Sequence, residues 1–261
     1  MRIAITREPD PSIVDCQLTY LQRQPIDVRK AVQQHQAYKE CLAHLNLHVV
    51  QLTIDKVLPD AVFVEDTAVV VDELAVVPIM GSARRQSEIQ ELLPAFSRYR
   101  PLKFLRPPAT LEGGDVIRVG RTLFVGLSTR TNLEGVNQLR EILRPFDYQV
   151  RPVEVKACLH LSTALSYIGE NTVLANKNWV DLSPFEGFSL MDVSAMGEPW
   201  SANTIRINGS NIVSRSFPKT SAALRERGFN VITVDISELE KAEAGLSCMS
   251  LIFEDKNHPT V

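Results

Sequence analysis

The sequence predicts an α/β protein of five ββαβ units arranged as a five-fold pseudosymmetric propeller, with the two termini sharing one unit. Three observations lead there. First, four short segments carrying acidic, histidine or cysteine residues recur along the chain: Phe63-Val64-Glu65-Asp66, Leu111-Glu112-Gly113-Gly114-Asp115, Cys158-Leu159-His160-Leu161 and Leu246-Ser247-Cys248-Met249. Glu65 to Glu112 spans 47 residues, Glu112 to His160 spans 48, and His160 to Cys248 spans 88, close to two intervals. A period of about 40 to 50 residues marks a propeller or an array of repeated units. Second, a strand–strand–helix–strand order recurs on this register. Third, the pieces of one further unit stand at opposite ends of the chain.

The middle of the chain shows the unit most clearly. Thr67 to Val71 and Leu74 to Pro78 are short β-branched runs around Asp72-Glu73, which predicts a hairpin. Arg85 to Phe96 follows as a helix, with Ile89, Leu92, Leu93 and Phe96 on one stripe, and Leu102 to Leu105 as a strand. The next unit repeats the order: strands Asp115 to Val119 and Thr122 to Leu127 around Gly120-Arg121, helix Thr131 to Leu143, strand Tyr148 to Val155. A weaker unit has strands Ala164 to Ile168 and Thr172 to Ala175 around Gly169-Glu170-Asn171, with a helix placed loosely between Asn176 and Pro184. In the following unit Thr204 to Ile207 and Asn211 to Arg215 bracket Asn208-Gly209, the strongest short hairpin signal. Its helix opens at Pro218 and closes at Gly228, and Phe229 to Val234 is its last strand. The fifth unit takes Cys248 to Phe253 and Met1 to Thr6 as hairpin strands, Val28 to Leu45 as helix and Leu47 to Leu52 as closing strand. Closure into a ring is expected, because a split terminal unit left open would expose sheet edges. The start of each unit's first strand then points to a common axis.

At 261 residues the chain fits a single catalytic domain spanning 1–261. Hydrophobic residues at 44% and charged residues at 23% are ordinary for a water-soluble globular protein. A net charge of −3 gives no basic footprint for nucleic acid or for an anionic membrane surface. Apolar runs such as Ala75 to Met80 are too short to span a bilayer, and the N-terminus shows no signal-peptide core, so a cytoplasmic protein is expected. The cysteines Cys16, Cys41, Cys158 and Cys248 have no disulfide-scaffold spacing.

On the repeat register stand a thiol, an imidazole and several carboxylates. A cysteine in an apolar strand is more often an inert core residue, but Cys248 follows the turn-like Glu243-Ala244-Gly245 and shares its register with ionisable residues. Cys16, Cys41 and Cys158 are read as structural. Of the five histidines, His35, His44, His48 and His258 lie off the register and His160 on it. His44 and His48 lack the glutamate of a zinc-protease helix, and no Cys/His cluster has metal-ligand spacing, so neither metal nor cofactor is expected. Glu65, Asp66, Glu112 and Asp115 follow apolar stretches and precede hydrophobic strands, which predicts partial burial and a need for partners, with Asp60 just upstream.

Carboxylates around a thiol suit a planar cation. A guanidinium offers five donors in a fixed fork, and its carbon is a poor electrophile that demands a strong nucleophile such as a thiolate. Histidine can protonate a departing amine and later deprotonate water. The adduct stays cationic, so carboxylates stabilise it where a peptidase would use N–H donors. An α-amino acid substrate also needs basic residues for its carboxylate, and Arg85 and Arg130 stand at helix starts just after second strands.

At this point the sequence resembles the dimethylarginine dimethylaminohydrolases of the pentein superfamily, from Arg7 to Phe253. The matching motifs are Asp15-Cys16-Gln17-Leu18-Thr19, Pro25-Ile26-Asp27, Leu58 to Thr67, Leu111 to Asp115, Val125-Gly126-Leu127-Ser128-x-Arg130-Thr131-Asn132, Leu159-His160-Leu161 and Gly245 to Ser250. The resemblance implies Cys248 as nucleophile and His160 as general acid/base, with Glu112 orienting His160 or bonding the guanidinium. It implies Asp60, Asp66 and Glu65 around the substituted guanidinium, Arg85 and Arg130 on the substrate carboxylate, and the Leu18 carbonyl on a lid near the α-amine. It implies hydrolysis of Nω-methylated arginines to citrulline through a thiouronium intermediate without a metal. The expected partner is a small guanidino amino acid substrate, with a homodimer as a possible assembly. Two features depart from the family. Gly81-Ser82-Ala83-Arg84-Arg85 is shorter than the family's Gly-Ala-x-Ser-Arg-Arg, leaving open which arginine enters the site. Glu243 replaces the family's usual Asp at what is read as the pocket floor. The competing readings are a deiminase-like hydrolase of free or otherwise substituted arginine and a non-catalytic binding propeller.

Overall fold

Five three-stranded sheets stand around a common axis, each with its first strand innermost. The computed structural model describes residues 1–53 and 56–255, so His258 lies outside the described residues. In every unit the first strand pairs antiparallel with the second and the second parallel with the third. A parallel neighbour needs a crossover, which the helix supplies. The first unit has strands Val69–Val70, Ala75–Val77 and Leu102–Phe104 with helix Gln86–Ser97. The second has Val116–Val119, Thr122–Leu127 and Gln149–Glu154 with helix Leu133–Leu143. The fourth has Ile205–Ile207, Ser210–Ser214 and Asn230–Val234 with helix Pro218–Glu226.

The termini meet in the fifth unit as the sequence predicts. Leu251–Glu254 pairs antiparallel with Arg2–Arg7, which pairs parallel with His48–Leu52 across helix Val28–His44. The Asn208-Gly209 turn has both residues at positive φ (47° and 84°), the conformation a two-residue hairpin with right-handed strand twist requires. The third unit departs from expectation. Its strands are Leu165–Gly169, Thr172–Ala175 and Ser189–Asp192, and among the described residues the crossover carries a short 3-10 turn, Ser183–Phe185, in place of an α-helix. Trp179, Phe185 and Phe188 pack there against Val153, Phe124 and Tyr167, so aromatic bulk does the covering that a helical stripe does elsewhere.

Closure is a matter of five apolar seams. Ile3, Ile5, Leu251 and Phe253 meet Leu92 and Phe96 of the first unit. Val69, Val71 and Val76 of the first unit meet Leu123, Val136, Leu139 and Leu143 of the second. The second meets the third through Phe124, Val153, Leu165 and Val173, and the third meets the fourth through Ile168, Leu174, Val213 and Leu224. Tyr38 and Leu42 complete the circle by packing with Ile207, Ile212 and Val234. Each fully buried Leu or Ile side chain contributes about 1.5–3 kcal/mol. The seams therefore hold the ring shut without a covalent link.

Candidate active site

The four register segments enter their inner strands through one helical turn each: Val64–Thr67, Gly113–Asp115, Leu161–Ala164 and Ser247–Met249. The ring points these turns at one place. A small cavity there is lined by Asp60, Asp66, Arg85, Glu112, Arg130, His160, Glu243 and Cys248, with Gln17, Phe63, Leu159, Ala242 and Ala244 completing the wall.

His160 sits between two carboxylates. Its Nε2 lies 2.8 Å from Glu112 Oε2 and its Nδ1 lies 3.7 Å from Asp66 Oδ1. Glycine makes this approach possible: a Cβ on Gly114 would lie 2.7 Å from Asp66 Oδ1 and 2.8 Å from His160 Nδ1. Burial opposes a charge on His160, but Asp66 and then Glu112 outweigh it and push the imidazole up to about 9. Burial likewise opposes a charge on Glu112, yet the His160 hydrogen bond, with Arg85 and Arg130 nearby, holds that carboxyl below its usual range. His160 is therefore an imidazolium at neutral pH, poised to donate a proton. Ser82 N–H donates to Glu112 Oε1 (3.0 Å), and the Asp115 carboxylate accepts Leu161 N–H (3.0 Å), holding the turn that follows His160.

Cys248 is 9% exposed, and its Sγ accepts the Gly245 N–H at 3.3 Å. Burial, then Glu65 and Asp66, push the thiol well up, so it rests protonated. Its turn is clamped by Asn203, whose Oδ1 accepts Ser247 N–H (3.1 Å) and whose Nδ2 donates to Ser247 Oγ (2.9 Å) and Ser162 O (2.9 Å). The sequence reading missed Asn203. The signal was there: halving the 88-residue gap between His160 and Cys248 lands at residue 204, one place away.

The convergence of Asp66, Glu112 and His160 atoms within 4.8 Å of one another is also the spacing of a metal site. Here those atoms already serve the imidazolium, and the guanidiniums of Arg85 and Arg130 pair with the same carboxylates. Two fixed cations beside the cluster repel a metal ion.

Three expected roles need correction or refinement. Arg85 does reach the site, but it is 5% exposed and its guanidinium is spent on Asp66, on both oxygens of Glu88 and on the carbonyl of Phe63. It braces Asp66 and pairs with Glu88, while Arg84 stays exposed. Glu65 does not line the active-site cavity. Its carboxyl faces the central channel on the other side of the ring and accepts from Ser247 Oγ at 2.8 Å. Glu243 lines the cavity wall, but its carboxylate is a strap: it accepts the N–H groups of Thr19, Tyr20 and Leu21.

Those amides belong to the loop over the site. Gln17 N–H donates to Asp60 Oδ1 (2.9 Å), and Arg130 reaches Gln17 Oε1 (3.4 Å) and Thr19 Oγ1 (3.3 Å). Ser82 Oγ donates to Gln17 Oε1 (2.6 Å). Leu18 rides on the same loop, with its side chain against the core and outside the cavity wall. The loop thus closes over the cavity through bonds to Asp60, Arg130 and Glu243. Gln17 and Ser82 were not singled out from the sequence, since neither carries a charge that would have drawn attention.

The fold and site define a pentein-type scaffold with a Cys/His/carboxylate centre. A family model described as "N,N dimethylarginine dimethylhydrolase, eukaryotic" matches residues 16–183. The chain is 34% identical over 251 residues to N(G),N(G)-dimethylarginine dimethylaminohydrolase of Pseudomonas aeruginosa, covering 95% of this chain and 98% of that one. It superposes on a cysteine-to-serine variant of the Pseudomonas aeruginosa enzyme complexed with citrulline, with a TM-score of 0.90 at 32% identity, covering 96% of this chain and 98% of that one. It also superposes on a histidine-to-glycine variant of a dimethylarginine dimethylaminohydrolase in adduct with S-methyl-L-thiocitrulline, with a TM-score of 0.91 at 33% identity, covering 97% and 100%. The chain belongs to the dimethylarginine dimethylaminohydrolase family.

Proposed function

We propose that this protein hydrolyses Nω-methylated arginines, releasing methylamine or dimethylamine and leaving citrulline. The observation that carries the reading is one cavity holding a buried neutral thiol, an imidazolium and the carboxylates of Asp60, Asp66 and Glu112. Asp60 and Asp66 receive the substituted guanidinium. Its positive charge offsets the carboxylates that hold the Cys248 thiol up, so the thiol releases its proton to solvent when substrate binds. The thiolate attacks the guanidinium carbon, giving a neutral tetrahedral adduct. His160 protonates the methylated nitrogen, the C–N bond breaks, and the amine leaves behind a thiouronium on Cys248. His160, now neutral, takes a proton from water as the water attacks the same carbon. The C–S bond then breaks and citrulline departs. Glu112 keeps the imidazole oriented through both steps. Arg130 exchanges its bonds to Gln17 and Thr19 for the substrate carboxylate, and the loop around Leu18 closes over the α-amine.

The reading treats the five units as one catalytic domain over 1–261. Among the described residues no helix is long and apolar enough to cross a membrane. Cys16, Cys41, Cys158 and Cys248 are all unpaired, which supports a reducing cytoplasm. Incubation with asymmetric dimethylarginine, and separately with arginine, tests the activity by colorimetric citrulline assay. Citrulline from the first substrate, lost in Cys248→Ser, is expected. Citrulline from arginine alone overturns the substrate assignment.

A further inference from the structure

Asp115 is fully buried at the end of the turn Gly113–Asp115 and takes no part in the proposed reaction. Its carboxylate nonetheless gathers donors from three places. Oδ1 accepts Leu161 N–H at 3.0 Å, and Oδ2 accepts the hydroxyls of Ser128 and Thr131, both at 2.6 Å. Burial pushes the Asp115 carboxyl up to about 6, opposed by His160 and by these bonds, so it is an anion at neutral pH. An ionised carboxylate only accepts, so each hydroxyl gives it its single proton and keeps its lone pairs for backbone N–H groups. Ser128 Oγ takes the N–H groups of Arg130 (3.0 Å) and Thr131 (3.2 Å), and Thr131 Oγ1 takes Glu112 N–H (3.1 Å). Bonds to an ionised acceptor are about twice as strong as neutral ones, which suits this carboxylate to hold three segments together.

The three branches end at three residues of the active site. Leu161 directly follows His160, Ser128 holds the amide of Arg130, and Thr131 holds the amide of Glu112. Two glycines show how closely the segments approach. A Cβ on Gly126 would lie 2.7 Å from Asp115 Oδ1, and one on Gly81 would lie 2.3 Å from Arg130 O. We propose that Asp115 is a positioning residue that sets Glu112, His160 and Arg130 in mutual register through Thr131, Leu161 and Ser128. The proposal rests on the hydrolase reading, in which His160 and Glu112 handle the proton and Arg130 takes the substrate carboxylate. One buried carboxylate then aligns the proton-transfer pair with the residue that grips the far end of the substrate. Such alignment matters, since a displacement of about 1 Å can cost about 10²-fold in rate.

Cutting the branches one at a time separates positioning from general stability. Ser128→Ala releases the Arg130 segment and is expected to raise KM for asymmetric dimethylarginine about tenfold, with kcat changed less. Thr131→Val keeps the shape but removes the support under Glu112, and is expected to lower kcat more than it alters KM. Asp115→Asn turns an amide NH₂ toward hydroxyls that already donate to it, cutting both branches, so kcat should fall about 10²-fold while KM rises as well. A merely structural role would lower Tm in all three without this split. Amide hydrogen exchange reads the same branches without turnover: it should quicken at Arg130 and Thr131 in Ser128→Ala, at Glu112 in Thr131→Val, and at all three in Asp115→Asn. If the wild type hydrolyses no methylated arginine, the hydrolase reading falls and exchange alone decides the positioning role. Should Asp115→Asn fail to fold, the two hydroxyl variants decide it. The same kcat and KM changes in Ser128→Ala and Thr131→Val, or exchange unmoved at those amides, overturns the proposal.

Discussion

His160 is a cation at rest because two carboxylates outweigh its burial, and in the proposed reaction its first task is to give a proton away. Its unfolded value is about 6.5, and in the folded chain it is pushed up to about 9. A raised value stabilises the fold fully below the unfolded pKa, and this contribution is lost as pH rises from about 6.5 through about 9. Amine expulsion depends on the same proton, so kcat should fall on the alkaline side with an apparent pKa near that of the imidazolium. Replacing Glu112 with Gln removes one supporting charge and the hydrogen bond that orients the ring. The alkaline limb should then move to lower pH and kcat drop by about 10²–10⁴, read from the pH profile of the variant; an unmoved limb would contradict the pairing. Cys248 carries the complementary prediction. Thiolate absorbance should titrate above the reference of roughly 8.5 in the free protein and lower when a non-reactive arginine analogue is bound. A free-protein value well below 7 would refute substrate-driven ionisation. These residues were legible because titratable side chains recur at a fixed spacing. The commitment of Arg85 was not, since it depends on Glu88 sharing the buried face of helix Gln86–Ser97 with Ile89 and Leu92. A carboxylate three residues on, at the edge of an apolar stripe, is the signal that could have revealed it.

The Cys248 turn and the loop over the cavity are each held by a side chain from a distant element. Asn203 spends three hydrogen bonds on the turn that carries Cys248 and on its neighbour Ser162, and Gly245 lies against its amide with no room for a Cβ. Asn203→Ala leaves buried backbone groups without partners and should cost about 1–3 kcal/mol of stability. Denaturant unfolding checks the cost, and a kcat lowered more than KM is altered would separate positioning from general destabilisation. Glu243, held at φ 60°, gathers the amides of Thr19, Tyr20 and Leu21. Glu243→Ala should therefore speed hydrogen exchange at those three amides and raise KM while the core stays protected. Exchange unchanged at the loop would contradict the strap. Most elements could be read from the sequence because hairpin turns and helical stripes are local signals, as Asn208-Gly209 and Leu133–Leu143 show. The third crossover could not. Its covering is made by aromatic contacts such as Phe124 on Phe185 (ring centroids 4.2 Å apart), which leave no periodicity along the chain.

The whole molecule uses pseudosymmetry to bring chemistry from separate units to one point. No unit owns the site: Asp66, Glu112, His160 and Cys248 come from four different turns, and Asn203 from the fifth position. The ring closes through the strand Leu251–Glu254 lying against Arg2–Arg7. The sequence announced the interval and the split unit, while the two faces of the axis were beyond it. Whether a turn residue looks toward the lid or toward the channel depends on one step of a tight turn, which is why Glu65 and Asp66 part company. The central claim is that Cys248 forms a covalent amidino intermediate which His160 helps to resolve. It is tested most directly by intact-mass and peptide mapping of His160→Gly incubated with S-methyl-L-thiocitrulline, whose methanethiol needs no acid to depart. The account predicts a stable adduct on the peptide carrying Cys248, absent from the double variant with Cys248→Ser. No adduct, or one that persists without the thiol, would contradict it.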